Sequence, residues 1–204
     1  PEIWPEEARG EVEAALEAAR VGLVGRFTAE FLTTAGTRKW LDVLVSKTGG
    51  TTITVLRKQG DGSLEPLTTK SVQGAPAGLA VGYLKGDKYP DVAVANDPLD
   101  AVTLFMGQGG GMLGAAVHVP TAEIPKQVVM RDLDGDGDTD VAVACLESVV
   151  SVLLGDGNGG LAPAIDYAMP NGAWGIGSAD VNEDGRMDVL VAGASKNFAS
   201  AVLY

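Results

Sequence analysis

The sequence is poor in the side chains that most often carry out chemistry. It has one cysteine, Cys145, so no internal disulfide can form. Its place at the end of the apolar run Val141–Cys145 suits a buried structural thiol. The one histidine, His118, stands between Val117 and Val119. It offers neither a multi-histidine zinc set nor the ordered partners of a Ser-His-Asp nucleophile. Basic residues number 15 against 27 acidic ones, a formal charge of −12. That balance argues against nucleic acid and anionic membranes as partners. No apolar run reaches the roughly 18 residues of a membrane-spanning helix. The opening Pro1-Glu2-Ile3-Trp4-Pro5 has no basic region and no apolar signal core, and a start at proline leaves that absence uninformative.

What is present is apolar content of 46%, charged content of 21% and 28 glycines, the balance of a globular chain with many turns. A repeat organises it. Asp-Val-(Leu/Ala)-Val recurs at Asp42–Val45, Asp91–Val94, Asp140–Val143 and Asp188–Val191, spaced by 49, 49 and 48 residues. A second strand-like run follows each: Thr52–Leu56, Val102–Phe105, Val149–Leu154 and Ser200–Tyr204. A Gly-rich turn then comes in the first three units, at Gly60–Ser63, Gly107–Gly111 and Gly155–Gly160, and Leu64, Leu113 and Leu161 open a further short segment. Short β-branched runs punctuated by Gly, Asp and Asn are hairpin signals. Four such strands per 40–50 residues describe the blade of a β-propeller, which must stack on neighbours to cover its faces. The expected fold is therefore all-β, a propeller of four-stranded antiparallel blades, about four in this chain. The expected units are 21–73, 74–122, 123–171 and 172–204, with 1–20 as an N-terminal segment. The last unit stops after its third strand. Residues 11–18 read either as the missing outer strand of that blade or, through Ala8, Val12, Ala15, Leu16 and Ala19, as a helical stripe. Four units could close a ring or belong to a larger one, and the residues leave both open.

The loop ahead of the third Asp-Val strand, Asp132-Leu133-Asp134-Gly135-Asp136-Gly137-Asp138-Thr139-Asp140, places five carboxylates at alternate positions. Such crowding repels itself unless a cation sits within it. Oxygen ligands alternating along a tight Gly-containing loop suit calcium above other ions. The expected ligands are Asp132, Asp134, Asp136 and Asp140, with the Asp138 backbone carbonyl. In the fourth unit they are Asp180, Asn182, Asp184 and Asp188, with the Arg186 carbonyl. Gly137 and Gly185 hold the sharp turn. An EF-hand is excluded, because its Glu at position 12 would fall on Val143 or Val191. In the second unit the matching positions are Tyr83, Lys85, Asp87 and Asp91, where the Lys85 ammonium stands in the ion's place and pairs Asp87 or Asp91. The first unit has Thr33–Lys39 before Asp42 and no ligand set. Two bound calcium ions would bring the formal −12 to −8.

Asp-x-(Asp/Asn)-x-Asp-Gly-x-x-Asp loops, Asp-Val-x-Val strands and the Gly-Asp-Gly-Asn-Gly turn together resemble FG-GAP/VCBS repeats, the blades of integrin-α-like β-propellers. The resemblance covers roughly residues 21–204 and is sharpest in the third and fourth units; Gly74-Ala75-Pro76 matches the GAP element without a Phe-Gly partner. It implies calcium between the first two strands of a blade, an extracytoplasmic setting and a ring of about seven blades.

The function expected is a calcium-stabilised module for protein–protein interaction, adhesion or scaffolding, without a catalytic residue set. It would not bind nucleic acid or insert into a membrane, and it could belong to a larger propeller or multi-chain assembly. A lectin-like module is the alternative, with Tyr167 or Trp174 offering a stacking surface, although Trp174 packed between blades is the plainer expectation. A metal-assisted hydrolase ranks third, because a saturated calcium shell leaves no open position for a substrate.

Overall fold

The computed structural model describes residues 23–32, 38–46, 51–58, 61, 63–170, 172–193 and 199–202, with side chains for 51–57, 61, 63–170 and 172–193. Four antiparallel sheets follow one another along the chain, each a meander in sequence order. The first holds β1 (Leu23–Leu32), β2 (Arg38–Ser46), β3 (Thr52–Lys58) and β4 (Leu64–Ser71). The second holds β5 (Pro76–Gly82), β6 (Asp91–Asn96), β7 (Ala101–Gly109) and β8 (Met112–Pro120). The third holds β9 (Pro125–Arg131), β10 (Asp140–Cys145), β11 (Val149–Leu153) and β12 (Ile165–Ala168). The fourth holds β13 (Gly175–Ala179), β14 (Asp188–Ala192) and β15 (Ala199–Val202). A 3-10 turn at Asp97–Leu99 interrupts the β pattern, and no helix among the described residues is long and apolar enough to cross a membrane.

The sheets pack face to face through their first strands, β1 beside β5, β5 beside β9 and β9 beside β13. This is the stacking of propeller blades about an axis, so the fold is the expected all-β propeller. Three apolar layers lie between neighbouring blades. Ile53, Val55 and Val72 meet Val92, Val94 and Phe105. Ala93, Ala95, Val102 and Leu104 meet Val128, Met130, Val141, Val143 and Leu153. Ala142, Ala144, Val150 and Val152 meet Val189 and Val191. Alternate residues of one strand thus serve opposite layers, which is why β6 and β10 are buried along their whole length and show no polar alternation. Close approach of inner strands demands a missing side chain at Gly78, where a Cβ would stand 2.6 Å from the Lys126 carbonyl oxygen and 3.0 Å from Gln127 Cα.

A hydroxyl tie recurs between the third and outer strands. Thr54 and Thr69 hydroxyls lie 3.2 Å apart, Thr103 Oγ1 is 2.9 Å from His118 Nδ1, and Ser151 Oγ donates to Asp166 Oδ1 at 2.6 Å. His118 is thereby part of a cross-strand pair in the sheet. Cys145 is fully buried, and burial pushes its thiol up to about 11, the reverse of an activated nucleophile. The fourth sheet has three strands among the described residues. The outer strand expected from residues 11–18 lies outside the described residues, as do residues 33–37 of the loop expected at Thr33–Lys39, while Arg38 and Lys39 open β2.

Gly78→Ala should lower stability by about 1–3 kcal/mol through overpacking against β9, read as a shift in the urea midpoint. An unchanged midpoint would show that the inner strands have slack at this point.

Candidate metal centre

Meander topology sends the loop between a blade's first two strands and the turn between its last two to the same end of the molecule. At that end the loop between β9 and β10 coils around Asp132, whose Oδ1 accepts the Gly135 N–H at 2.7 Å and whose Oδ2 accepts the Gly137 N–H at 3.0 Å. Asp134 Oδ1 accepts the Asp136 N–H at 3.1 Å, and Asp136 Oδ1 accepts the Asp138 N–H at 2.8 Å. Gly137 has φ +94, a conformation costly for any residue with a side chain. The result gathers Asp132, Asp134 and Asp136, with one oxygen of each within 4.8 Å of the others. An ion bound at 2.3–2.6 Å spans oxygens up to roughly 5 Å apart, so this set fits calcium. Asp138 points elsewhere: its carboxylate lies against Gly157 of the neighbouring turn. Its carbonyl is therefore the group it has to offer an ion.

Asp140 differs from the other four. It is fully buried, its Oδ2 accepts the Leu133 N–H at 2.8 Å and its Oδ1 accepts the Gly155 N–H at 2.8 Å. It ties the loop to the Gly-rich turn. The structure leaves this expected ligand outside the gathered Asp132–Asp134–Asp136 set, although each of its oxygens keeps a further lone pair. The same arrangement stands in the second blade, where no acidic ligand set exists. Buried Asp91 accepts Lys85 N–H at 3.1 Å and Gly107 N–H at 2.7 Å. In the fourth blade buried Asp188 accepts Val181 N–H at 2.8 Å. The recurring aspartate thus has a hydrogen-bonding reason to recur, independent of metal, which its reading as a ninth-position ligand did not reveal. Burial raises the carboxyl pKa of Asp91 and Asp140 above the usual value, against the opposing effect of the N–H bonds they accept.

The fourth loop repeats the coil with one fewer charge. Asp180 accepts Asp184 N–H at 3.2 Å and Gly185 N–H at 2.9 Å. Asn182 Oδ1 accepts Asp184 N–H at 2.9 Å, its Nδ2 donates to Asp184 Oδ2 at 3.1 Å, and Asp184 Oδ1 accepts Arg186 N–H at 2.9 Å. Among the described residues the fourth loop does not bring three carboxylates together as the third does. In the second blade Lys85 Nζ stands 3.5 Å from Asp87 Oδ2, while Asp91 takes the Lys85 backbone N–H. The pairing falls to Asp87. The blades are also stitched across, since Gly159 N–H of the third blade's turn donates to the Leu84 carbonyl of the second blade's loop at 3.0 Å. Opposite this end Trp174 is 56% exposed, so it does not pack between blades as expected from sequence, while Tyr167 packs against the layer shared by the third and fourth blades.

The model of the FG-GAP-like repeat matches residues 84–143 and again 132–191, together more than half of the 204 residues. The chain belongs to the FG-GAP-like repeat family. Each match runs from one acidic-loop region through the Asp-Val strand of the next, so the family pattern and the observed blades share one period. A solved structure of the Photorhabdus luminescens Tc holotoxin pore is similar, with a TM-score of 0.49 and 19% identity, over 83% of this chain and 8% of that one. No curated protein matches the sequence.

Asp91→Asn sets an amide donor against one of two backbone N–H groups and should cost about 1–3 kcal/mol. Because the folded pKa of Asp91 lies above the unfolded 3.8, the folded form keeps a proton that the unfolded chain has released. Its contribution favours the fold at low pH and is lost as pH rises from about 3.8 through the folded value. Urea midpoints measured across that window should therefore fall less steeply in Asp91→Asn than in the parent.

Proposed function

We propose that this FG-GAP-like chain is a calcium-stabilised interaction module, an extracytoplasmic propeller whose business is holding another protein. The observation that carries the metal reading is the gathering of Asp132, Asp134 and Asp136 at ion-binding separation on a hairpin end. Those three carboxylates, the Asp138 carbonyl and Asp140 hold the ion in the third blade. Asp180, Asn182, Asp184, the Arg186 carbonyl and Asp188 form the second and weaker site. Bound calcium supplies positive charge that offsets the repulsion among the carboxylates. The chain's own part is to coil the backbone so that N–H groups already hold each carboxylate in place. The ions act as structural pins, and no catalytic role is assigned to them.

The end opposite the loops exposes Leu99 at 39% and Trp174 at 56%, apolar side chains suited to a protein partner. The exposed Trp174 ring also supports carbohydrate binding as the second reading, and a blank glycan array at high protein concentration would retire it.

Extracellular-type sites hold calcium with dissociation constants of about 10⁻⁴–10⁻³ M, so millimolar calcium adds roughly 0.5–1.5 kcal/mol per site. Adding calcium to chelator-treated protein should raise the melting temperature by roughly 2–12 °C for the two sites together. Asp134→Ala should remove more than half of that gain, with the remainder assigned to the weaker fourth loop. Melting that ignores calcium, with no metal retained in protein purified without chelator, would overturn the assignment.

A further inference from the structure

The Gly-rich turn of the third blade contains a peptide bond with chemistry of its own. Asn158 is followed by Gly159. An asparagine before glycine is open to attack on its side-chain carbonyl carbon by the next backbone nitrogen, because glycine has no side chain to hinder the approach. Asn158 is exposed. Within the turn its N–H donates to Asp156 Oδ1 at 2.8 Å and its Nδ2 to the Asp156 carbonyl at 2.9 Å. Asp156 Oδ1 also accepts the Gly160 N–H at 2.8 Å. The attacking nitrogen is held from outside the turn. Gly159 N–H donates to the Leu84 carbonyl of the second blade's loop at 3.0 Å, and Leu84 is fully buried, so its acceptor is fixed in place. The same blade walls in the glycine. A Cβ at Gly159 would stand 3.3 Å from Met106 Sδ and 3.7 Å from Lys85 Cβ, and one at Gly86 would stand 2.9 Å from the Gly157 carbonyl oxygen.

We propose that Asn158–Gly159 is a deamidation site that the second blade's loop holds closed. When loop and turn part, the Gly159 nitrogen gives up its proton to solvent base and bonds to Asn158 Cγ. The Cγ–Nδ2 bond breaks, and the side-chain nitrogen takes a proton from water and leaves as ammonia. Water then opens the cyclic imide at either carbonyl, giving aspartate or isoaspartate at position 158. One water enters and one ammonia leaves, with no oxidant or reductant. Isoaspartate routes the main chain through the former side chain and lengthens it by a methylene ahead of Gly159. The Gly159 N–H is then displaced from the Leu84 carbonyl, and a buried acceptor loses its donor. Either product also adds a carboxylate close to Asp156 and to Asp138, whose own carboxylate lies against Gly157. The modification therefore records each parting of the second and third blades and hinders their closing again. The other Asn-Gly pair, Asn171-Gly172, is an internal comparison, because Gly172 N–H donates to Ser148 Oγ at 3.0 Å and not to the second blade. The inference stands whether or not the acidic loops hold calcium.

Peptide mass spectrometry of the full chain, aged at mildly alkaline pH in calcium and with isoaspartate resolved from aspartate, tests this. Deamidation at Asn158 should run on the order of tenfold slower than in a short peptide spanning Gly155–Leu161, a factor that one hydrogen bond and local closure supply. Gly86→Ala sets a methyl against the Gly157 carbonyl and leaves the Asn158–Gly159 sequence untouched. It should raise the Asn158 rate on the order of threefold or more, with no change at Asn171. Gly110→Ala is the control. Gly110 shares the left-handed backbone, with φ +62 against +63, but a Cβ there meets nothing within 4 Å, so the Asn158 rate should stay at the parent value. Should Gly86→Ala unfold, Gly86→Asn gives the same readout, since asparagine tolerates that backbone conformation. A folded chain that deamidates at Asn158 as fast as the peptide overturns the proposal. So does an Asn158 rate that the Gly86 variants leave unchanged, or that Gly110→Ala raises equally.

Discussion

At the start of the second strand of the second, third and fourth blades stands a carboxylate that water does not reach. In the second and third blades it accepts one N–H from the loop before the strand and one from the turn that closes the third. A buried acceptor left empty costs far more than a filled one gains, so loop and turn are held in a single relation to each other. Asp91 does this between Lys85 and Gly107, and Asp140 between Leu133 and Gly155. The end of the molecule where these hairpins meet is organised by that tie. Everything more exposed, including the acidic loops, is built outward from it.

On this shared base stand two kinds of loop. The third blade's loop carries a set of carboxylates close enough for a hard cation, each held by backbone N–H groups of the same coil. The second blade's loop keeps the buried aspartate but carries Lys85 beside Asp87, an internal cation in an otherwise depleted loop. In the second blade a lysine ammonium beside Asp87 offsets part of the negative charge, whereas in the third the gathered carboxylates carry no basic partner within the loop. The contact from Gly159 to the Leu84 carbonyl joins the two loop types across the blade boundary.

Between blades the governing quantity is distance. The inner strands of the second and third blades approach closely where a side chain is absent, at Gly78, and an apolar layer fills the space between those blades. A blade face made this way is poorly suited to water.

Much of this was legible in the residues. The 49-residue period, the Asp-Val strands and the Gly-rich turns determined the blades, since alternation and turn chemistry are local properties of sequence. The coil around Asp132 was readable for the same reason, because its carboxylates bond N–H groups only two to five residues away. The role of Asp140 was not readable, since its second partner, Gly155, lies fifteen residues on and meets it only after the sheet has formed. Trp174 was misjudged because exposure depends on whether a neighbouring blade covers a position, and no local pattern records that. The sequence alone determined the repeat, the strands and the acidic coil. Tertiary structure decided which aspartate is sealed inside, which aspartate Lys85 pairs with and that Trp174 stands exposed, because each depends on groups brought together by the folded sheets.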